Sequence, residues 1–304
     1  MPAATLPPAA AFRGEPSAGG LTMRTGPSLV DLVAQRIVSG EARLPVFHAT
    51  AARIQQEISK EDPDPRRIEQ LVGSDQALTA EVLRFSNSAF YKGLNQVTTV
   101  RNAIVRLGVN EVANIVMTVT HENQFRSANP LVHGLMRKLW RHALGAAIAA
   151  HWLARTCGLH ALVHEAFFAG LLHDVGKLFV LTVIEELPRT APQAAPLSAA
   201  LLEEAMDRLH AAEGYRLMQH WDLPEVYAGV VRDHHRPAGE GDPALLQLVR
   251  LADRVCNKAG LGLAPPPPEA PASTPEARAL RVSEIDLARL EIELEDSPLL
   301  GSRS

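Results

Sequence analysis

The stretch from Gly170 to Leu178, which reads GLLHDVGKL, places an adjacent histidine and aspartate inside a run that is otherwise apolar enough to be core. Apolar surroundings rarely enclose a carboxylate without a compensating charge or metal, because removing an ionised group from water is costly. Asp174 therefore requires a positively charged partner. Other histidines and an aspartate elsewhere in the chain are candidates to share a metal with His173 and Asp174.

Further histidines and an aspartate recur at helical spacing with apolar residues. In the segment 134–155, His142 aligns with Leu139 and Ala146, and in 206–221 His210 aligns with Gly214 and Leu217. Two more alignments follow the same rule: His234 with Tyr227 and Val230 after Pro224, and Asp253 with Leu246 and Val249 in 243–258. His235 is displaced from His234 by about 100° at the end of its helix. These residues are predicted to face one interior.

A single histidine on an apolar face is more often a packed core residue than a ligand, and Asp253 alone could pair with Arg250 or Arg254. Several such burials in one half of the chain are better explained by one metal site. The predicted metal ligands are His142, His173, Asp174, His210, His234, His235 and Asp253. The other histidines lack this pattern and are interpreted as surface or packing residues: His48, His121, His133, His151, His160, His164 and His220.

The predicted ligand types restrict the metal. Neutral imidazoles with carboxylates suit iron, manganese, zinc, nickel or cobalt better than calcium, and the sequence has no thiolate pair at ligand spacing. Seven ligands exceed what one ion takes when a coordination position stays open. One ion, or two ions about 3.5–4 Å apart with Asp174 as the bridge, are therefore the alternatives.

The whole chain predicts an all-α fold. The first helix should start at Ser28, with Asp31 three residues later, and end at Gly40. Further helices are predicted near 46–59, 64–73, 76–87, 99–107 and 110–119.

The chain is predicted to divide into five segments. They are a disordered tail (1–27), an N-terminal helical half (28–128), a metal-site half (129–260), an extended, solvated Pro/Ala-rich linker that does not pack (261–282), and a tail with a short helix (283–304). That helix could dock back on the domain or bind a partner.

Charge and composition exclude some functions. The chain has 30 basic and 34 acidic residues and no block of lysines or arginines, so nucleic acid is not expected as the main partner. No apolar run reaches the roughly 18 uninterrupted residues that a bilayer span needs, and no targeting signal is visible. With two cysteines, the chain fits a reducing compartment. A cytoplasmic protein without membrane contact is predicted.

Several strings together resemble a known family. They are Leu44-Pro45, SDQALT at 74–79, FSNSAF at 85–90, AIVRLG at 103–108, LWRH at 139–142, the His-Asp stretch, and WDLP at 221–224. The chain resembles HDOD domain proteins of the HD superfamily of metal-dependent phosphohydrolases over roughly 40–258. The order of His142, His173-Asp174 and Asp253 resembles the superfamily ligands. His210 and His234-His235 match the extra ligands of two-metal members.

The resemblance implies a helical bundle in which an N-terminal half packs on an HD-like half. It also implies a bacterial signalling or regulatory protein that acts through protein partners. The alternative is a metal-dependent phosphohydrolase acting on a nucleotide or phosphodiester, with Asp174 and Lys177 as catalytic residues and Lys177 steadying a phosphate-containing ligand. Lys177 could equally be a surface lysine. The segment 235–242 has no Gly-Tyr-Pro triplet, so the resemblance does not extend to the HD-GYP cyclic di-GMP phosphodiesterases.

Overall fold

The computed structural model of the protein describes residues 27–88, 91, 96–187, 197–297 and 299–301. These residues form α-helices joined by turns, with no strand among them, so the predicted all-α fold is confirmed. The predicted disordered tail, apart from its last residue, lies outside the described residues. The helices are α1 (Leu29–Val38), α2 (Ala49–Ile58), α3 (Pro65–Gly73), α4 (Gln76–Ser86), α5 (Val100–Leu107), α6 (Val109–Glu122), α7 (Pro130–Thr156), α8 (Val163–Leu172), α9 (Val175–Glu186), α10 (Ala199–His220), α11 (Glu225–Asp233), α12 (Ala244–Lys258), α13 (Pro275–Ala279) and α14 (Glu284–Glu295).

Local signals set the ends of the first helix as expected. The Ser28 hydroxyl accepts a hydrogen bond from the Asp31 backbone N–H (3.2 Å), and the Asp31 carboxylate accepts one from the Ser28 backbone N–H (3.0 Å). This reciprocal pair satisfies two donors that a helix start leaves free. Gly40 follows the helix with φ = +72°, a conformation that costs glycine little.

The second half of the chain is built around α7, which has His142 at its middle. Helices α8 and α12 pack against α7, α9 packs against α10, and α10 packs against α11. In the first half, α2, α4 and α5 surround α6. Helix α6 also packs against α8, which joins the two halves through one continuous apolar core.

Helix α1 differs from the predicted organisation, which placed it in the N-terminal half. It packs against α9 and α10 of the metal-site half. Its apolar stripe of Val30, Val33 and Ile37 is buried as the periodicity indicates. Periodicity identifies a buried face but carries no information about which helix covers it, and here helices of the second half cover α1.

The prediction of an extended, unpacked linker at 261–282 is wrong, because part of this segment folds and packs. Pro271–Ser273 forms a 3-10 turn and α13 follows it. Pro271, Thr274 and Ala277 are buried, and α13 packs against α12. Proline at the first helical position and a threonine cap allow this short helix to form in a sequence that otherwise reads as low complexity.

The C-terminal helix α14 docks back on the domain. The Ser283 side chain caps its start. Leu287, Leu290 and Leu294 are buried, and α14 packs against α7. The apolar face of α14 is therefore covered by the protein itself.

One stretch of the described chain, His160–Glu186, is long and apolar enough to cross a membrane by length and composition. Of its most apolar window, 89% is buried inside the protein. The structure breaks this stretch at His173-Asp174, between α8 and α9. Buried core helices meet the same criterion, so the stretch is weak support for a membrane span.

Acid pH is expected to destabilise the fold through His121, which is buried at the end of α6 with its Nε2 unpartnered among the described residues. Burial lowers the pKa of His121 from 6.5 to about 3. Between these values the unfolded chain binds the proton and the folded chain does not. The contribution of neutral His121 is therefore complete above pH 6.5 and is lost as the pH falls towards 3.

Between neutral pH and about pH 4, the free energy of unfolding of the wild type should fall by about 3 kcal/mol more than that of His121→Leu. Urea denaturation at a series of pH values measures this difference. The exposed His220 provides the matched control, because His220→Leu should follow the wild type. Equal pH dependence in the wild type and His121→Leu would contradict the prediction.

Candidate metal centre

Two close helix crossings position the His173-Asp174 turn between α8 and α9. A Cβ at Gly170 would lie 2.7 Å from the Ala146 carbonyl oxygen on α7, and one at Gly176 would lie 1.9 Å from the His210 carbonyl oxygen on α10. Neither distance is tolerable, so only glycine allows these backbones to approach. The crossings bring α7 and α10, with their histidines, to the His-Asp turn.

One group of side chains gathers on the α7 side of the turn. The Nε2 atoms of His142 and His173 are 3.3 Å apart, and they lie 3.6 and 3.5 Å from Asp174 Oδ2. Asp253 Oδ1, from α12, lies 3.0 Å from His142 Nε2 and 3.8 Å from His173 Nε2. Arg250, an alternative partner of Asp253 by sequence, binds elsewhere. Asp253 thus faces the histidines.

The second group gathers on the α10 side of the same carboxylate. The Nε2 atoms of His210 and His234 are 3.3 Å apart and lie 3.5 and 3.4 Å from Asp174 Oδ1. His235 is exposed, and its ring centroid lies 4.9 Å from that of His210. Ligand atoms of Asp174, His210, His234 and His235 all fall within 4.8 Å of one another. The two oxygens of Asp174 therefore face different groups, as in a carboxylate shared by two sites.

Backbone carbonyls orient three of the imidazoles. The Nδ1 atoms of His173, His210 and His234 lie 2.8, 2.9 and 2.8 Å from the carbonyl oxygens of residues 170, 206 and 231. Because a carbonyl only accepts hydrogen bonds, each Nδ1 carries a proton. In the neutral ring, Nε2 is then unprotonated and directs its lone pair into the centre.

Charge in the centre is dominated by Asp174 and Asp253. Burial alone would raise the pKa of Asp174, but the Lys177 ammonium at 2.7 Å and the neighbouring imidazoles hold it well below its usual range. Burial would likewise raise the pKa of Asp253, which His142 and His173 hold well below its usual range. Both carboxylates are ionised at neutral pH.

The imidazoles respond differently to these charges. Burial lowers the pKa of His210 to about 3, so this ring is neutral at physiological pH. Burial opposes protonation of His173, but Asp174 and Asp253 outweigh it and raise the pKa. The centre therefore carries an excess of negative charge and of inward-facing lone pairs. A proton or a metal cation would relieve this excess.

The donor set fits a divalent transition metal. The Nε2 lone pairs of His210 and His234 converge at 3.3 Å and repel one another unless a cation lies between them, and Asp174 Oδ1 is buried without a hydrogen-bond partner among the described residues. Neutral imidazoles with carboxylates favour iron, manganese, zinc, nickel or cobalt. All seven residues predicted as ligands lie in or beside this cluster.

Lys177 lies inside the structure and not on its surface. Its side chain is 12% exposed, and its ammonium donates a hydrogen bond to Asp174 Oδ2 (2.7 Å). Burial alone would lower the pKa of Lys177, but the Asp174 charge raises it. Lys177 is thus a fixed positive charge at the edge of the cluster.

Arg250 holds the turn that carries His234, a role the sequence did not reveal. Its buried guanidinium donates hydrogen bonds to the carbonyl oxygens of Asp233 (2.7 Å) and His234 (3.3 Å). It also pairs with the Asp242 carboxylate (2.6 Å) and lies 3.8 Å from that of Glu276 on α13. Through Glu276, the segment predicted as a linker therefore contacts Arg250, the residue that holds the backbone of His234.

A second polar cluster, at the junction of α6, α7 and α8, was also missed from the sequence. Glu111 accepts a hydrogen bond from the Tyr91 hydroxyl (2.7 Å), and its carboxylate lies 2.9 Å from His164 Nδ1 and 3.9 Å from His151 Nε2. Burial would raise the pKa of Glu111, but the two histidines and Tyr91 lower it. The sequence indicates a surface or packing role for His151, and only the helix crossing shows that its ring faces a carboxylate.

Comparison with known proteins gives one family and several related folds. The HDOD domain family matches residues 44–237. The cyclic di-GMP phosphodiesterase CdgJ of Vibrio cholerae is 27% identical over 173 residues, which is 57% of this chain and 37% of CdgJ. The chain spans between 25% and 37% of the length of the curated relatives it matches.

Two solved structures share the fold. An HDOD domain protein of unknown function from Geobacter sulfurreducens superposes with a TM-score of 0.66 at 23% identity, covering 87% of this chain and 97% of its own. A candidate metal-dependent phosphohydrolase from Shewanella amazonensis gives a TM-score of 0.69 at 20% identity, covering 88% and 98%. At such identities the likeness concerns the fold alone.

Proposed function

Because the chain belongs to the HDOD domain family, we propose that it is a bacterial signalling protein that acts through contacts with other proteins. In this proposal the His/Asp cluster holds one or two divalent transition metal ions. The ligands are the seven residues predicted from the sequence, with Asp174 shared between the two groups. The metal fixes the arrangement of α7, α8, α10, α11 and α12 and thereby the surface offered to partners.

The observation that carries the proposal is the burial of the cluster. His142, His173, Asp174, His210 and His234 are at most 7% exposed. The segment after α12 lies against His142, since a Cβ at Gly262 would be 3.3 Å from His142 Nδ1. A metal ion with a structural or sensing role can be held by buried ligands. A phosphodiester substrate would need an open space beside those ligands to reach the metal.

The second candidate is a metal-dependent phosphohydrolase acting on a nucleotide or phosphodiester. It is favoured by the exposed His235, which gives one open edge, and by the fixed charge of Lys177. A bound divalent metal would supply Lewis acidity at that edge. Lys177 would then bind a phosphate oxygen beside the metal ligands. The name of CdgJ also suggests a phosphodiester, although the match covers 37% of that protein.

Elemental analysis of protein purified without chelator should find iron, manganese, zinc, nickel or cobalt bound. Neutral imidazoles beside two ionised carboxylates otherwise leave the centre with uncompensated negative charge. Chelation followed by reloading with each metal should restore the bound ion. Protein that holds no metal after both procedures would contradict the metal assignment.

Turnover assays on the reloaded protein separate the two candidate functions. Phosphodiesters, nucleotides and cyclic dinucleotides serve as substrates, with each metal supplied in turn. The signalling proposal expects bound metal with no turnover. Metal-dependent turnover that disappears in the Asp174→Ala variant, with its helical spectrum retained, would instead establish the phosphohydrolase.

A further inference from the structure

A groove separate from the metal cluster is rich in arginine. Helix α4, the end of α6, helix α7 and the chain after α14 form its walls. Among the described residues, its lining includes Arg84, Arg126, Arg137 and Arg141, against a single acidic residue, Glu122. The chain as a whole carries a net charge of −4, so this concentration of positive charge is local and runs against the overall balance.

Two of these arginines are free to bind a ligand. Within the part of the chain that the structure describes, the Arg126 side chain hydrogen-bonds only to the neutral Asn123 side chain (3.2 Å), and Arg141 forms no ion pair. Both side chains are exposed. Guanidinium groups form paired hydrogen bonds to phosphate oxygens, which makes arginine well suited to anion recognition.

Trp140 adds an aromatic surface to the lining of the groove. Along α7, the residues at 137, 140, 141 and 144 follow helical spacing and line one wall. The Trp140 ring is half-buried, with its centroid 5.6 Å from that of Phe125, and its indole N–H has no acceptor among the described residues. The exposed part of this ring can stack on a flat ligand, and its N–H can donate a hydrogen bond.

We propose that this groove binds a mononucleotide, with the phosphate at Arg126 and Arg141 and the base beside Trp140. The groove has a volume of about 310 Å³, at the lower end of the range for small-molecule sites. A concave site of this size suits a small ligand with one charged and one flat part. The inference does not depend on the metal cluster. However, α7 carries both Arg141 and His142, so a ligand here lies one residue from the centre.

Calorimetric titration of the full chain, treated with chelator to remove metal, tests the proposal. The probes are AMP and GMP, with ribose 5-phosphate lacking the base, adenosine lacking the phosphate, and hexaglutamate as an acidic peptide. The mononucleotides should bind more tightly than either fragment and than the peptide. The double variant Arg126→Ala/Arg141→Ala should weaken nucleotide binding by about tenfold or more. Trp140→Leu should remove the preference for AMP over ribose 5-phosphate.

Arg208→Ala is the matched control, since Arg208 is an exposed arginine on α10, away from the groove. It should bind nucleotides as the wild type does, and a helical spectrum should verify that each variant folds. The proposal is overturned if no mononucleotide binds at millimolar concentration, or if the double arginine variant binds as tightly as the wild type. Equal binding of ribose 5-phosphate and AMP to the wild type, or binding of hexaglutamate alone, would also overturn it.

Discussion

Replacing Gly176 by alanine should lower the free energy of unfolding by at least about 3 kcal/mol and abolish metal binding. The new Cβ would lie 1.9 Å from the His210 carbonyl oxygen and 2.8 Å from the Gly214 backbone nitrogen. Both are backbone atoms of α10, so no rotamer change can relieve the clash, and α9 and α10 must separate. Separation withdraws His210 from Asp174. Thermal denaturation and elemental analysis measure the two effects.

Gly134→Ala is the matched control for this substitution. Gly134 also lies inside a helix, but a Cβ there would meet no atom of the described residues within 4 Å. The change should stabilise the protein by up to about 1 kcal/mol through helix propensity and leave metal binding intact. If Gly176→Ala behaved like Gly134→Ala, the close crossing of α9 and α10 would be wrong.

Asp174→Asn is expected to weaken metal binding by at least about a hundredfold. The substitution keeps the shape of the side chain but removes the charge that both groups of imidazoles share. At a free metal concentration of about 1,000 times the wild-type Kd, metal should stabilise the wild type by about 4 kcal/mol and the variant by about 1.4 kcal/mol. Denaturation with and without metal gives both values.

The quantity to compare is the free energy of unfolding with metal minus that without metal. Asp174→Asn also leaves the buried Lys177 charge without its partner, so the variant is less stable than the wild type even without metal. Asp62→Asn provides the control, since Asp62 is an exposed carboxylate between α2 and α3, in the other half of the chain. It should retain the full metal-dependent stabilisation. An equally large metal effect in Asp174→Asn and the wild type would exclude Asp174 as a ligand.

Features determined by nearest neighbours along the chain were predictable from the sequence. The start of α1 at Ser28 depends on a hydroxyl and a carboxylate three residues apart. The inward direction of His142 and His210 depends on helical spacing alone, and both side chains are buried. Their convergence on His173-Asp174 was inferred because several isolated buried polar groups are less favourable than one shared cluster.

Features determined by contacts between distant segments were not predictable in this way. Helix α1 shows a buried stripe but no sign that α9 and α10 cover it. Glu276 lies in a stretch rich in proline and alanine, and its contact with Arg250 exists only because α13 folds against α12. The facing of Glu111 and His151 likewise depends on how α6 crosses α7. These contacts can be identified only when the relative positions of the helices are known.

The segment after α12, which lies against His142, affects which metal the protein retains. Where ligands are enclosed on nearly every side, an ion can leave only as fast as the surrounding segments open, so its dissociation rate is tied to local unfolding. Exchange of one ion for another would then be slow in the cell, where the protein stays folded, whereas a chelator under mildly denaturing conditions would still remove the ion. The ion bound in a given molecule would reflect the metals present while the chain was folding, and cells grown on different metal supplies should yield protein with different metal contents.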